Sequence, residues 1–541
     1  MDMTIRPAVE PDPQLCERYR AHGWWDGATL PTLMSDALTR SADRPFQLIS
    51  RTRPWRGTLA DVTTLARRFA TGLAERGIRT GDPVAFCLPN SVEATAVFYG
   101  LSLLGATLVP VGHTAGPRDL ACALRGSHAK AVVVANLPER PFDFDTLPPV
   151  ELVAAVGEAP RPAHVLAFDD LTDHHPLTEP ATVDPAQIAV IGWTSGTTGA
   201  PKGVMLSHRA MCAETRMHMS PMMSPRTRPL ASTSPIAHVT GMLVSVLVPP
   251  LLGQQIHLLD YWDAGEVLDL MTAQQLSAGS GAPLFLAALL DHPACTPEHH
   301  ALIEMSSLGG AAVSPELVLR AADVGVVAMR GYGCTEHPSI ALGMPDDPLD
   351  KRAHTDGRPC PGVEVRIVDE TDKPVPAGED GEILTRGPDL FSGYTDPVLT
   401  AEAFTDGWYR TGDIGRLDAD GYLSVVDRKK DIVIRAGMNI SPAEVEAAMR
   451  TMPEVADVAV IAVPDPRTGE RACAFVIPAP GHDTPAVERI GEHLATVGLA
   501  KYKWPEEIRT QPGDFPRTPA GKVRKTDLRA AWDAHRQGGH Q

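Results

Sequence analysis

Along the first half of the chain, short β-branched runs alternate with stretches whose apolar residues recur at three- and four-residue spacing. Pro83–Leu88 reads as a strand, Val92–Leu104 as a helix, and Thr107–Val111, Ala131–Ala135 and Ile188–Trp193 as buried strands. Strands alternating with helices need crossover connections, which predicts a mainly parallel sheet. The stretch 136–179 is rich in Pro, Asp and Glu and predicts surface loop with one short strand, Leu152–Val156. After residue 360 the pattern shortens. Val363–Val368, Gly381–Thr385 and Tyr422–Asp427 read as strands between Gly, Pro and Asp turns, as in a small antiparallel or barrel-like unit. The charged cluster Asp427-Arg428-Lys429-Lys430-Asp431 reads equally as a solvated turn or as part of a site. Beyond it lies a compact α/β unit, with a helix capped by Ser441-Pro442-Ala443-Glu444 and strands at Val455–Val463 and Ala472–Pro478.

Two uncharged runs, Ala94–Pro117 and Pro229–Leu259, are long enough to raise the question of a membrane span. Gly100, Gly105 and Pro110 break the first; Gly241, Pro249, Pro250 and Gly253 break the second. Neither is flanked by Lys/Arg clusters, so both are expected as helix-then-strand pieces of a buried core. The N-terminus has no apolar stretch of signal-peptide length. A chain of 541 residues with 43% hydrophobic and 21% charged residues is globular, and its net charge of −18 argues against a general nucleic-acid binder. The acidic excess lies wholly in residues 1–431, because residues 432–541 carry fourteen Lys/Arg and fourteen Asp/Glu. Eight scattered cysteines, none at C-x-x-C spacing, argue against a disulfide framework or structural zinc and fit a reducing, cytoplasmic compartment.

The strongest chemical signal is Thr194-Ser195-Gly196-Thr197-Thr198-Gly199-Ala200-Pro201-Lys202-Gly203, directly after the strand Ile188–Trp193. Its glycines let the backbone turn tightly and present N–H groups, its hydroxyls add donors, and Lys202 adds a positive charge. Together these make an anion-binding nest suited to polyphosphate. The order is not that of a Walker A loop, since Lys202 is neither preceded by Gly nor followed by Ser or Thr. Cys334 and the methionines 211, 217, 219, 222 and 223 are expected as pocket wall and packing filler, the latter in a helix and a Pro-rich loop.

The segment resembles the signature loop of the adenylate-forming superfamily: acyl-CoA synthetases, non-ribosomal adenylation domains and beetle luciferases. Further blocks follow in the family's order over residues 40–530. Ser234-Pro235-Ile236-Ala237-His238-Val239-Thr240-Gly241 looks like the segment flanking the acyl pocket, with His238 near the carboxylate and Val239 and Met242 along the wall. Leu308-Gly309-Gly310-Ala311 is similar to the adenine-side loop. Gly331-Tyr332-Gly333-Cys334-Thr335-Glu336 looks like the block whose Tyr stacks on adenine and whose Glu, with Thr197, holds magnesium. Trp408-Tyr409-Arg410-Thr411-Gly412-Asp413 supplies the ribose-binding Asp. Arg428 matches a ribose-contacting Arg, Lys430 the hinge, and Pro516-Arg517-Thr518-Pro519-Ala520-Gly521-Lys522 the mobile-lobe lysine, Lys522. The resemblance implies an α/β fold: a large N-terminal lobe of α/β subdomains with a small barrel-like β unit, then a small mobile C-terminal α+β lobe. The implied boundaries are an adenylation domain at 1–427, a hinge at 428–431 and the mobile lobe at 432–541.

It also implies a two-step reaction. A carboxylate attacks the α-phosphorus of Mg-ATP, giving acyl-adenylate and pyrophosphate, with Lys522 bridging acyl and phosphate oxygens. The small lobe then turns about Lys430, withdraws Lys522 and admits a thiol beside Arg435, Ala436 and Gly437. The expected substrates are ATP, CoA and a small carboxylic acid, with magnesium as cofactor. Residues 229–259 hold no charged side chain to meet an α-ammonium group, so the expected acid is not an amino acid but a short- or medium-chain fatty, alicyclic or aryl one. Acetyl-specific relatives place Trp at the position of Gly333, and glycine is expected to leave the pocket open. Ala436 replaces a second glycine of many relatives, which keeps an acyl carrier protein open as alternative thiol donor. A luciferase-like oxygenase is the reading from another class. A homodimer is compatible with the sequence, and neither nucleic acid nor an integral membrane association is expected.

Overall fold

The helix Val92–Leu104 shows how directly pattern becomes position. Ser91 accepts a hydrogen bond from the Ala94 N–H at its start, Gly105 ends it in a left-handed conformation (φ 68°), and every residue but Glu93 is buried. A helix apolar all round must be enclosed on all sides, and this one packs on the helix Leu59–Glu75 over a seven-stranded sheet. This computed structural model describes residues 6–194, 201–435, 438–517 and 522–538.

The strand order of that sheet is Leu166–Ala167, Leu152–Val156, Ala131–Ala135, Pro83–Cys87, Thr107–Pro110, Ile188–Thr194 and Lys202–Ser207. All neighbours are parallel except the last pair, an antiparallel hairpin whose register sets Thr194 opposite Lys202. The phosphate-loop sequence therefore springs from the carboxyl end of a parallel strand, where ligands collect in open α/β sheets. A four-stranded sheet places Met305–Leu308 parallel to Val327–Tyr332, so the loops after both strands leave the same edge. Strands from Glu364–Val368 to Leu423–Arg428 make a five-stranded antiparallel sheet. Residues 433–510 supply a separate five-stranded sheet, covered by the helices Pro442–Arg450, Val487–Thr496 and Lys525–Gly538.

Three expectations change. The stretch 136–179 adds a strand, Leu166–Ala167, and two short 3-10 turns to Leu152–Val156, because Asn136, fully buried, ties it down through Ala159 O and the Phe142 N–H. The Met-bearing segment is not a helix followed by a Pro-rich loop. Helix His208–Ala213 runs on through a π-helical turn, Glu214–Met219, to Ser220–Met223, with Pro221 just after the π-helical turn. The methionines pack as expected: Met211, Met219, Met222 and Met223 are buried in the main core. The 427–431 cluster is not simply a solvated turn. Asp427 Oδ2 accepts from Ser441 Oγ (2.6 Å) and the Ala443 N–H (2.9 Å), securing the start of the next helix. Among the described residues no helix is long and apolar enough to cross a membrane, and both uncharged runs form core helices and strands.

Candidate active site

The loops that leave the parallel strand edges converge on one cleft. Strand Val327–Tyr332 delivers Tyr332, whose Oη donates to Asp413 Oδ2 at 2.6 Å. Asp413 lies directly opposite Arg428 across two antiparallel strands, and its other carboxylate oxygen is 3.5 Å from Arg428 Nε. Asp413 is buried, accepts a hydrogen bond from Tyr332 and faces the Arg428 cation, with lone pairs left for a diol. Burial first, then the Asp413 carboxylate, pushes the Tyr332 phenol well above its usual range, so Tyr332 remains a donor. Gly309, Gly310 and Ala311 follow the neighbouring parallel strand. A methyl group on Gly309 would approach Gly331 O to 3.1 Å, and Gly310 takes a left-handed φ of 74°. Gly309 thus sits tight against the strand that carries Gly331, and the left-handed φ of Gly310 favours glycine there.

Glu336 is held from two sides. Its backbone carbonyl accepts from the Phe391 N–H (2.8 Å) and its Oε1 from Tyr394 Oη (2.8 Å), which leaves Oε2 as a hard oxygen donor. Residues 392–395 run beside the strand Lys202–Ser207, bonded through Ser392, Gly393 and Thr395 to Met205 and Gly203. That pairing brings Lys202 Nζ to 5.2 Å from the Tyr394 ring centre. Tyr394 thereby links the lysine of the phosphate hairpin to the carboxylate expected to hold magnesium, and the residues present fit that ion. Sequence reasoning missed Tyr394; its only signal was an aromatic after Gly393 in a turn-rich segment.

Lys522 reaches the same cleft from the C-terminal unit. Its ammonium is shifted below the usual lysine range, first by the surrounding protein and then by the Arg428 cation, against the pull of Asp413, Cys334 and Glu336. The residue nonetheless remains exposed to solvent. Lys430 is pulled down to about 8, chiefly by burial, with Arg428 and Arg529 adding to it and Asp431 opposing. The Lys429 N–H donates to Gly412 O, so the segment 428–431 leaves the ribose-side strand pair directly. Arg435 pairs instead with Glu506 (2.7 Å) inside the C-terminal unit, away from this cluster of contacts.

The residues expected on the acyl side include His238. Its Nε2 is buried and without a hydrogen-bond partner among the described residues, 3.9 Å from where a methyl group on Gly112 would sit. Burial lowers its pKa, so the ring is neutral. An unpaired buried polar atom is costly unless a ligand satisfies it. Gly192, within the strand Ile188–Thr194, admits Thr335 and Val239: an added methyl would come within 2.9 Å of Thr335 Cγ2 and 3.8 Å of Val239 Cγ2. Two expectations are corrected here. Met242 is fully buried in the main core rather than exposed along an open wall. Gly333 does not leave room for a larger side chain, since a methyl there would lie 1.9 Å from Pro338 O. Cys334 is partly buried against the antiparallel sheet, and burial, then Glu336 and Asp413, push its thiol well above the usual range, which suits pocket wall rather than chemistry. Ser195, Gly196, Thr197, Thr198 and Gly199, and Ala436 and Gly437 of the expected tunnel, lie outside the described residues.

Residues 37–395 match the family described as AMP-binding enzyme, and residues 444–522 match the AMP-binding enzyme C-terminal domain. The medium-chain fatty-acid–CoA ligase of Escherichia coli (strain K12) is 32% identical over 94% of this chain and 92% of its own length. Feruloyl-CoA synthase of an Amycolatopsis species is 32% identical over 87% of this chain and 93% of its own. Among solved structures, the anthranilate CoA ligase AuaEII in complex with anthranoyl-AMP superposes with a TM-score of 0.83 at 26% identity, covering 94% of this chain and 98% of that one.

Proposed function

We propose, from the premise that the chain belongs to the AMP-binding enzyme family, that it is an ATP-dependent carboxylic acid–CoA ligase that forms AMP. The observation carrying this reading is the entry of Lys522, from the C-terminal unit, into the cleft where Asp413, Arg428 and Glu336 meet beside the phosphate hairpin. That arrangement suits the first half-reaction. A carboxylate oxygen of the acid attacks the α-phosphorus, the bond to the β-phosphate oxygen breaks, and pyrophosphate leaves with both electrons. Asp413 accepts the ribose hydroxyls, Tyr332 offers its ring face to adenine, and Lys522 lies where oxyanion charge develops. Glu336, through Oε2, and Thr197, outside the described residues, would hold magnesium, which would supply positive charge against the phosphates. In the second half-reaction a thiolate attacks the acyl carbon, the carbon–oxygen bond to the phosphate breaks, and AMP leaves.

The neutral, unpaired His238 supports an acid whose carboxylate or α-region accepts or donates one hydrogen bond in otherwise apolar surroundings. With no charged residue from 229 to 259, a short- or medium-chain fatty, alicyclic or aryl acid fits best. We assign the boundaries 1–427, 428–431 and 432–541 to adenylating lobe, hinge and mobile lobe. In this reading Arg435 joins the thiol path only after that lobe has turned. Incubation of ATP, magnesium and a panel of such acids, with CoA or an acyl carrier protein as thiol donor, tests the assignment: AMP and pyrophosphate should appear with acyl-CoA. Acyl transfer to the carrier alone would replace CoA in this account, and light emission would replace the ligase reading altogether.

A further inference from the structure

Behind Glu336 lies a buried polar cluster that neither half-reaction uses. His337, the next residue, is fully buried; its Nε2 is 3.1 Å from Asp389 Oδ1 and its Nδ1 3.1 Å from Thr385 Oγ1. His218, on the π-helical turn, places Nδ1 2.8 Å from Glu214 Oε2 and 3.7 Å from Asp389 Oδ2, while its Nε2 is 2.9 Å from Pro361 O. Glu214 Oε1 accepts from Ser339 Oγ at 2.7 Å. Burial alone would lower the His218 pKa, but Asp389 and Glu214 outweigh it and raise it to about 11, while burial pushes the Glu214 carboxyl up, so His218 and Glu214 share a proton beside the Asp389 carboxylate. Buried ion pairs of this kind add little net stability and are better explained by the geometry they impose.

Here the geometry runs to Glu336. Asp389 lies two residues before Phe391, whose N–H holds the Glu336 carbonyl, and five before Tyr394, whose hydroxyl holds Glu336 Oε1. His337 is joined to Glu336 by a peptide bond, and Gly387 gives its ring room, since a methyl there would meet His337 Nε2 at 2.8 Å. We propose that His337 and Asp389, braced by His218 and Glu214, are positioning residues that fix the backbone and carboxylate of Glu336 for magnesium-ATP. The inference rests on the ligase reading. Glu214, His218 and Asp389 also bring three ligand-type atoms within 4.8 Å of one another. The 2.8 Å separation of His218 Nδ1 and Glu214 Oε2 fits a shared proton, because metal bonds of about 2.0–2.2 Å would hold such atoms roughly 3 Å or more apart.

The test measures pyrophosphate release against magnesium concentration for wild type, His337→Ala, His337→Asn and Asp389→Asn. Conversion of chemically prepared acyl-adenylate and CoA to thioester is measured alongside. Removing outer partners of a metal ligand typically costs about 10–100-fold. His337→Ala and Asp389→Asn should therefore raise the magnesium needed for half-maximal rate by about that factor. Thioester formation should stay unchanged, and His337→Asn should recover part of the loss. If His337→Ala does not fold, Tyr394→Phe, which loses one hydroxyl, should show the same shift. Unchanged magnesium dependence in a wild-type background that releases pyrophosphate overturns the inference alone, as does equal loss of both half-reactions. A wild type that releases no pyrophosphate with any acid overturns the ligase reading and the inference with it. Elemental analysis finding one bound metal per chain, lost in His218→Ala, would replace the hydrogen-bonded cluster with a metal site.

Discussion

Replacing Lys522 by alanine should separate the two half-reactions. Lys522 lies within electrostatic reach of Asp413, Arg428 and Glu336, and in the proposed mechanism it meets charge that appears only as the carboxylate attacks phosphorus. A unit charge about 4 Å from a developing oxyanion, at an effective dielectric near 20, is worth about 4 kcal/mol. Loss of one preorganised donor is known to cost about 3–4 kcal/mol, or roughly 10²–10³ in rate. Lys522→Ala should therefore lose pyrophosphate release by that factor and keep the conversion of prepared acyl-adenylate and CoA to thioester. A pH arm sharpens the test. Because the Lys522 pKa is depressed, its charge is present at low pH and lost as pH rises through a value below the ordinary lysine range. Adenylation in the wild type should fall along that limb, and thioester formation should not. Single-turnover measurements of each half-reaction decide it. Equal loss of both halves, or an adenylation rate flat in pH up to 10.4, would refute the argument.

Lys430→Pro should have the opposite effect, since proline fixes φ near −65° and stiffens the segment that leaves Gly412 and Arg428; adenylate should accumulate without thioester, and normal thioester turnover would exclude a hinge at 430. Gly333→Ala should destabilise by about 1–3 kcal/mol, because the methyl meets the Pro338 carbonyl rather than the pocket; an unchanged unfolding midpoint would contradict that placement. His208 is fully buried and burial holds its pKa down to about 4 from 6.5. The unfolded chain then binds a proton near pH 6.5 that the folded chain refuses until about 4, so the contribution is complete above 6.5 and lost between the two. The shift corresponds to about 3 kcal/mol, and His208→Gln should flatten the fall of the unfolding midpoint over that range; an unaltered slope would count against it.

Elements buried on both faces were legible to the residue: Val92–Leu104, Ala131–Ala135 and Leu152–Val156 begin and end where apolar pattern and capping residues place them. Tyr332, Asp413, Glu336 and Lys522 were named from the order of family-like blocks, and the structure sets Tyr332 against Asp413 and brings Lys522 within electrostatic reach of Asp413 and Glu336. What pattern could not carry is contact between distant positions. Tyr394 meets Glu336 across 58 residues, His337 meets Asp389 across 52, and Ser339 meets Glu214 across 125. No periodicity marks such pairs, and each partner alone reads as an ordinary turn or core residue. Gly333 failed for a related reason: the sequence gives a residue's size, whereas the direction of its missing side chain depends on where Pro338 passes.

The most direct test of the central claim is a product balance on the purified full chain. ATP, magnesium, CoA and a medium-chain or aryl carboxylic acid are supplied, and AMP, pyrophosphate and acyl-CoA are quantified together. The account predicts the three products in equal amounts, and acyl-adenylate with pyrophosphate when CoA is withheld. ADP and phosphate in place of AMP and pyrophosphate, or AMP without any activated acyl product across the panel, would contradict it.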